Sequence, residues 1–374
     1  RAVHTDLAFA IAAGIILTVL GVAFTPVLLK WMRTPDEVLP QSVEYFRVYF
    51  YGASAVVLYN ISVGILQAVG DSRHPLYYLI FSAILNVVLD LLFIGVFKMG
   101  VGSAAATAIS QAVSALLCLV QLVRTKEVYK VPLKEIRFHK DMLGQILRYG
   151  LPSGVQNSVI AIANVVVQSN INSFGDDAMA GCGSYSRVEG FAFLPITCFS
   201  MSLTTFIGQN LGAQKFDRAK AGARFGILCS VVMAEIIGAA IWLLAPYCIA
   251  LFNDSPEVVA LGARQARTEA LFYCLLAFSH CIAGICRGAG KANVPMFIML
   301  ACWCLLRIVY ITVTVHFIPS IGVVFWAYPL TWGLSSAAFL VYYLKSDWVH
   351  AFERRRAREE LEGEKIGPTE ETSE

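Results

Sequence analysis

The chain has 374 residues, of which 57% are hydrophobic and only 15% are charged, and its formal net charge is +3. Ordinary soluble domains carry about a quarter charged residues. This composition, with a mean hydropathy of +0.65, therefore excludes a water-soluble globular protein. We expect the lipid bilayer to be the principal partner of the chain, and we expect no nucleic-acid partner.

Ten segments are long and apolar enough to cross a membrane as helices. A span needs about 20 mostly apolar residues, because every backbone polar group must be hydrogen-bonded inside the segment. In chain order we predict spans at residues 5–29, 43–69, 75–97, 100–123, 151–174, 180–206, 221–245, 259–286, 293–317 and 320–344. The chain is thus predicted to be an all-α integral membrane protein with about ten transmembrane helices.

Basic residues in the loops predict the orientation of these spans, because short loops rich in Lys and Arg resist translocation. The loop at 124–150, between the fourth and fifth spans, contains seven such residues and is predicted to be cytoplasmic. Alternation of the spans places further basic residues on the same side, namely Arg73, Lys215, Arg218, Lys220, Lys291, Arg354, Arg355, Arg356 and Arg358. Lys30, Arg33 and Lys98 are exceptions on the opposite side. Both termini are therefore expected inside the cell.

The sequence repeats itself with an offset of 220 residues. The segment GILQAVGDSRHP at 64–75 and the segment GICRGAGKANVP at 284–295 share Gly, Ile, Gly and Pro at equivalent positions. A long repeat of this kind predicts two homologous helix bundles. The second copy has six spans, so we expect that the first copy, with four, lacks two helices upstream of Arg1. A complete protein of ten helices stays open as the alternative.

The repeat predicts four regions along the chain. They are an N-terminal bundle at 1–124 without its first two helices, a cytoplasmic connector at 125–149, a C-terminal six-helix bundle at 150–345 and a cytoplasmic tail at 346–374. Because each complete bundle has an even number of helices, the two pseudo-symmetric copies are expected to run in the same direction. Parallel repeats around a central site are typical of transporters.

Three motifs give this pattern a family resemblance. They are GQNLGAQKFDRA at 208–219, the repeated loops that end at Pro75 and Pro295, and LPSGVQ at 151–156. Together they resemble the multidrug and toxin extrusion (MATE) transporters, with the spans matching the third to twelfth helices of that family.

The resemblance implies a secondary active antiporter and not an enzyme. Such a protein exports amphipathic or cationic drugs or toxic metabolites in exchange for protons or sodium ions, by alternating access between its two bundles. No cofactor is implied beyond the coupling H⁺ or Na⁺. The expected location is the bacterial inner (cytoplasmic) membrane, as a multi-pass monomer with a cytoplasmic C-terminus.

An ionisable residue at membrane depth is costly and usually faces a cavity or a partner, which makes Asp90 a candidate for coupling. Asn86 lies four residues earlier on the same helix face, and Thr107 lies on the next helix. The resemblance matches these three residues to the N-lobe cation site of the family, where Na⁺ at Asp90 is the one metal implied. A structural role, in which Asp90 is hydrogen-bonded to a neighbouring helix, is the alternative.

The second copy of the repeat carries a buried positive charge, Arg307, where the first copy has Val87. Arg307 needs a counter-charge or a polar cage, and we expect Glu189 or Glu235 to supply it. Gln156 and Asn157 make the fifth span polar and are candidate contacts of an interior cavity. Glu189, Arg307, Gln156 and Asn157 are thus the predicted cavity residues of the C-terminal half.

Two rival functions stay open. A membrane-embedded enzyme would gather acidic or histidine residues at one interface, whereas the six histidines here are scattered. We interpret His280 as a satisfied core histidine. A flippase of lipid-linked saccharide precursors, from the same structural superfamily, would need a basic cavity for a pyrophosphate group. Asp90 and Glu189 disfavour such a cavity, while Arg307 favours it.

Overall fold

Helices form all the regular secondary structure in the part of the chain that the computed structural model describes, residues 1–31, 36–127 and 129–350. Contacts divide the chain into two units, Arg1–Leu147 and Arg148–Glu374. Arg33 and the tail arginines Arg354, Arg355, Arg356 and Arg358, which entered the prediction of orientation, lie outside the described residues.

The first unit contains five helices, followed by the start of a sixth. They are α1 (Ala2–Trp31), α2 (Leu39–Tyr51), α3 (Ala53–Ala68), α4 (Arg73–Asp90), α5 (Gly102–Arg124) and the first turns of α6 (Lys140–Asn172). A π-helix, Leu91–Val96, extends α4, and a short 3-10 helix, Leu133–Glu135, follows α5.

In its described residues, the second unit contains the rest of α6 and seven further helices. They are α7 (Asp176–Gly212), α8 (Phe216–Ala250), α9 (Pro256–Glu269), α10 (Tyr273–Gly288), α11 (Asn293–Met299), α12 (Arg307–Phe317) and α13 (Ile321–Lys345). A 3-10 segment, Ala270–Phe272, separates α9 from α10, and a π-helix, Leu300–Leu306, joins α11 to α12.

Within the described residues these helices form ten candidate membrane spans, which confirms the predicted all-α class and the predicted number. Four of these helical spans, Ala2–Trp31, Asp176–Gly212, Phe216–Ala250 and Pro256–Gly288, extend beyond the predicted bounds at both ends. The helix α7 has 37 residues and is therefore about 55 Å long at 1.5 Å per residue, well beyond a hydrocarbon core of about 30 Å. The apolar run locates a span, but the helix continues until a turn stops it.

The repeated loops have the same backbone conformation in both units. The helices α3 and α10 begin and end 220 residues apart, and each is followed by a glycine with positive φ, Gly70 (+89°) and Gly290 (+74°). In both turns the next amide donates to the carbonyl five residues earlier, Asp71 to Leu66 (2.9 Å) and Lys291 to Cys286 (2.8 Å). This pattern is a Schellman motif, which places a residue in the left-handed region where glycine has no steric penalty.

Small residues let α10 pack closely against α7 in the second unit. An added Cβ at Gly284 would meet the carbonyl oxygen of Ser200, and one at Gly288 would lie 2.6 Å from that of Thr204. Two hydrogen bonds follow the same contact, from Ser200 Oγ to the carbonyl of His280 (2.7 Å) and from Thr204 Oγ1 to that of Gly284 (3.1 Å). Gly, Ser and Thr are enriched at such contacts because they let helix backbones approach.

Candidate functional site

A buried glutamate ends α9 in the second unit. Glu269 has no exposed surface and lies directly before the 3-10 segment. Its Oε1 accepts a hydrogen bond from Gln265 Nε2 (2.8 Å), and its Oε2 accepts one from the Tyr185 hydroxyl (3.3 Å). The Tyr185 hydroxyl is also 2.8 Å from the hydroxyl of Tyr273. Glu269 therefore lies in a network with three other polar side chains, and it is not among the site residues predicted from the sequence.

Arg307, at the start of α12, is held by a hydroxyl and two aromatic rings. Its side chain is 4% exposed, and its Nε and Nη2 donate to Thr331 Oγ1 at 3.2 and 2.9 Å. The guanidinium carbon lies 4.4 Å from the ring centroid of Tyr328 and 5.8 Å from that of Trp303. Among the described residues no carboxylate oxygen lies within 4.0 Å of a guanidinium nitrogen of Arg307. The cage predicted for this arginine is therefore a hydroxyl and two aromatic rings, without a direct ion pair.

Glu189, on α7, is half-buried and lines a cavity of about 280 Å³ together with Arg307 and Tyr328. The positive charge of Arg307 attracts both Glu189 and Glu269, and the two carboxylates repel each other. When all three groups are ionised, the cluster carries one excess negative charge. Glu235, the other predicted partner of Arg307, does not line this cavity.

A second cavity of about 500 Å³ adjoins the first. The two cavities share Ile160, Asn164, Phe193 and Trp303, so they form neighbouring compartments of one region within the second unit. The second cavity is further lined by Ser153, Gln156, Asn157, Thr197, Ser200, Met201, His280, Arg287 and Met299. Aromatic, amide and hydroxyl groups from α6, α7 and α10 therefore surround a space large enough for a small organic molecule.

The predicted polar contacts Gln156 and Asn157 both lie in this second cavity. Gln156 is 5% exposed, its Nε2 lies 2.9 Å from the sulfur of Met299, and its Oε1 has no hydrogen-bond partner among the described residues. Asn157 is exposed. Asn164, seven residues further along α6, lines both cavities but is not among the residues predicted from the sequence. Its seven-residue spacing from Asn157 places both asparagines on one helix face, which is the sequence feature that indicates it.

His280 differs from the satisfied core histidine that the sequence suggested. Its ring lies 5.0 Å from the ring of Phe193 and 5.3 Å from that of Trp303, measured between centroids. Its Nε2 is buried and has no hydrogen-bond partner within the described ranges. The imidazole is therefore held by aromatic packing and keeps an unused hydrogen-bonding atom in a residue that lines the larger cavity.

In the first unit, Asp90 and Asn86 are half-buried on α4, and Thr107 is half-buried on α5. Asp90 is the last residue of α4, and the wider π-helix begins directly after it. Asp90 Oδ1 and Asn86 Nδ2 are buried without a hydrogen-bond partner among the described residues. The three residues therefore do not form a hydrogen-bonded cluster here, and the cation site stays a prediction.

In the described part of the chain, no group of three or more His, Cys, Asp or Glu side chains is arranged to bind a metal ion. The second unit instead offers two carboxyl groups and one guanidinium beside an aromatic cavity. This arrangement can hold a proton, a monovalent cation or a cationic organic group.

Comparison with known proteins agrees with the motifs. The sequence model described as MatE matches residues 1–92 and 152–313. The chain is 29% identical over 310 residues to the probable multidrug resistance protein YoeA of Bacillus subtilis, covering 80% of this chain and 67% of YoeA. It is 29% identical over 330 residues to the probable multidrug resistance protein YpnP of the same organism, covering 88% of this chain and 73% of YpnP.

A solved structure supports the same assignment at the level of the fold. A MATE protein crystallised in a bent conformation superposes with a TM-score of 0.85 at 23% sequence identity, covering 95% of this chain and 79% of that protein. The chain is thus shorter than the proteins that it matches, and it is a multi-pass membrane protein. Because the family model covers most of its length, the chain belongs to the MatE family, the multidrug and toxin extrusion transporters, which are not enzymes.

Proposed function

We propose that the chain forms a cation-coupled antiporter that exports amphipathic, often cationic compounds in exchange for protons or sodium ions. In this proposal two helix bundles give a central site alternating access to the two sides of a bacterial cytoplasmic membrane. The protein acts as a monomer with its C-terminus in the cytoplasm. The names of YoeA and YpnP, both probable multidrug resistance proteins, support drugs as exported compounds.

The charge balance of the second unit is the observation that carries this proposal. Glu189 and Glu269 supply two carboxylates, whereas Arg307 supplies one guanidinium. An unpaired charge at membrane depth costs about 2.5–3.5 kcal/mol on insertion scales, so the second carboxylate favours a bound proton or cation. Uptake and release of that ion at one membrane side and the other is the step that a gradient can drive.

The aromatic walls explain why a substrate and a coupling ion would exclude each other. Glu189 lies in a cavity with Trp303, Tyr328 and Trp332, which are suited to flat cationic compounds through cation–π contact. A bound organic cation neutralises the excess carboxylate charge, and a proton or sodium ion does the same. The organic cation and the coupling ion therefore compete for the same carboxylates, and such competition is what an antiporter needs to exchange one for the other.

For the first unit we propose the same role for Asp90, with Asn86 and Thr107 as neutral neighbours. Asp90 Oδ1 and Asn86 Nδ2 lack partners within the described chain, which supports a site that is completed by an ion or water.

A flippase of lipid-linked saccharides is the weaker candidate. A pyrophosphate group carries several negative charges and is held by clusters of Arg and Lys. Each of the two cavities is lined by a single arginine, Arg287 in one and Arg307 in the other, and Glu189 lies beside the second. This lining favours antiport of a compound with few charges.

Efflux from lipid vesicles tests the proposal with proton and sodium gradients imposed separately. We expect Glu189→Gln, Glu269→Gln and Asp90→Asn each to reduce gradient-driven export of a cationic dye, because each removes a titratable carboxylate. Glu257→Gln is the matched control, since Glu257 is exposed at the start of α9. Normal export by both glutamate variants under both gradients would refute coupling in the second unit. The same result for Asp90→Asn would refute it in the first.

A further inference from the structure

The larger of the two adjoining cavities, of about 500 Å³, contains a cationic residue that the coupling mechanism does not use. Arg287, in the last turn of α10, is half-buried and lines this cavity. Its Nη2 donates to Ser200 Oγ at 3.1 Å. A guanidinium has five N–H donors, so this hydrogen bond uses only one of them.

The surroundings of Arg287 contain no acidic partner within the described residues. Among the residues that the structure describes, no carboxylate oxygen lies within 4.0 Å of its guanidinium nitrogens, and the lining of the cavity includes neither Asp nor Glu. Two other lining residues, Gln156 and His280, each have a buried polar atom without a hydrogen-bond partner in the same part of the chain. The cavity therefore offers positive charge and hydrogen-bonding capacity that the protein leaves unused.

The two cavities differ in charge from one end to the other. Glu189 lies in the smaller cavity, and Ser200, the partner of Arg287, lies in the larger one. Eleven residues of α7 separate Glu189 from Ser200, which corresponds to about 16 Å along the helix axis. Between them lie Phe193 and Trp303, which line both cavities. At one end of the region the carboxylates of Glu189 and Glu269 outnumber the guanidinium of Arg307, the middle is aromatic, and the other end carries Arg287.

We propose that Arg287 binds the anionic group of a zwitterionic aromatic substrate, whose ring system lies against Phe193 and Trp303 and whose cationic group points toward Glu189. A carboxylate or another oxyanion accepts two parallel hydrogen bonds from a guanidinium, which matches the free donors of Arg287. Gln156 and His280 supply further hydrogen bonds to polar substituents. This inference rests on the proposed transport function and identifies the substrate class of the same site.

A purely structural role is the alternative for Arg287. A basic residue in the last turn of a helix interacts favourably with the helix dipole, so Arg287 would then stabilise α10 and contact no substrate. The two roles differ in one measurable respect. A substrate contact discriminates between ligands that differ only in their negative charge, whereas a structural role does not.

The decisive ligands are a rhodamine dye with a free carboxylate, which is a zwitterion, and its methyl ester, which is a cation of nearly the same shape. Binding of each dye to the purified protein in detergent is measured by fluorescence polarisation at neutral pH. For Arg287→Gln we expect affinity for the acid dye to fall roughly tenfold or more, as for loss of a charge-assisted hydrogen-bonded pair, with affinity for the ester unchanged. Arg287→Lys should retain part of the affinity for the acid dye, and Arg264→Gln, at an exposed arginine of α9, should change neither.

Three results would overturn the assignment. They are equal losses for both dyes in Arg287→Gln, no loss for either dye, and a wild-type protein that binds the ester but not the acid. Vesicle efflux separates this inference from the proposed function. If wild-type protein shows the charge-selective binding but neither dye is driven across the membrane by either gradient, the anion site stands and the antiport proposal fails.

Discussion

Replacing Gly284 by alanine tests whether the contact between α7 and α10 holds the cavity in place. A Cβ at this position would meet the backbone oxygen of Ser200 and lie 2.9 Å from its Oγ, so the clash involves backbone that cannot rotate away. Gly64 is the repeat equivalent, 220 residues earlier on α3. A Cβ there meets no heavy atom within 4 Å among the described residues, which makes Gly64→Ala the matched control.

The expected magnitude follows from two opposing effects. Overpacking costs typically about 1–3 kcal/mol, and a clash with backbone belongs in the upper part of this range. Alanine is a better helix former than glycine by about 1 kcal/mol, which offsets part of that cost. We expect Gly284→Ala to lower the free energy of unfolding by about 1–2 kcal/mol. We expect Gly64→Ala to leave it unchanged or to raise it by up to about 1 kcal/mol, since only the helix propensity acts there.

Thermal unfolding in detergent, followed by tryptophan fluorescence, measures the difference. A domain of 150–250 residues shifts by about 2–4 °C per kcal/mol, so Gly284→Ala should lower Tm by about 2–8 °C. Because Ser200 also accepts the hydrogen bond from Arg287, the same variant should weaken binding of the acid rhodamine. Equal stability of the two alanine variants would refute the close contact and, with it, the assigned lining of the larger cavity.

Two further substitutions test the local geometry. Thr331→Val removes the acceptor of two hydrogen bonds from the buried Arg307. It should therefore lower the free energy of unfolding by about 1.5–3 kcal/mol in the same assay. A loss no larger than that of a Thr→Val change at an exposed position would contradict the contact between Thr331 and Arg307. Gln214 follows α7 with a φ of +56°, in the turn conformation that Gly290 adopts after α10. Gln214→Gly should therefore raise the free energy of unfolding by about 0.5–1 kcal/mol, because the strain energy of a left-handed Gln exceeds the entropic cost of ordering a glycine. A variant less stable than the wild type would contradict a strained turn at Gln214.

The positions of the spans and of the turns could be predicted from the sequence, because each depends on local chemistry. A span needs only a sufficient apolar run, and the turn after α3 needs only a residue that tolerates positive φ, which the repeat marks as Gly70 and Gly290. Helix ends were less predictable. The apolar pattern stops at the membrane boundary, whereas α7 continues to Gly212 before a turn ends it.

The buried side of a charged helix could not be predicted from sequence alone. The helix α9 carries Arg264, Arg267 and Glu269 within six residues, inside the predicted span at 259–286. The structure exposes both arginines and buries the glutamate completely, because Tyr185 and Gln265 provide its hydrogen bonds. Tyr185 lies 84 residues away in the sequence, and no local pattern signals such a contact.

The same limit applies to Arg307. The sequence predicts Glu189 or Glu235 as the partner of its charge, since buried ions are usually paired. The structure places the guanidinium over the ring of Tyr328 and against the hydroxyl of Thr331, and Glu189 lines the same cavity. The Tyr328 ring and the Thr331 hydroxyl stabilise part of the positive charge of Arg307. The guanidinium therefore does not depend on a direct ion pair, and it can still interact with Glu189 and Glu269 when these lose or bind a proton or cation.

The two copies of the repeat share their turn conformation but not the positions of their coupling carboxylates. Its two copies keep the same turn after α3 and α10, because positive φ constrains the residue in both. The carboxylates proposed for coupling do not correspond. An offset of 220 pairs Asp90 with Tyr310, and it pairs Glu269 with Tyr49, so each half has a carboxylate where the other has a tyrosine. Ions bound at these carboxylates would therefore occupy different positions of the two bundles, and the two halves would make unequal contributions to a transport cycle.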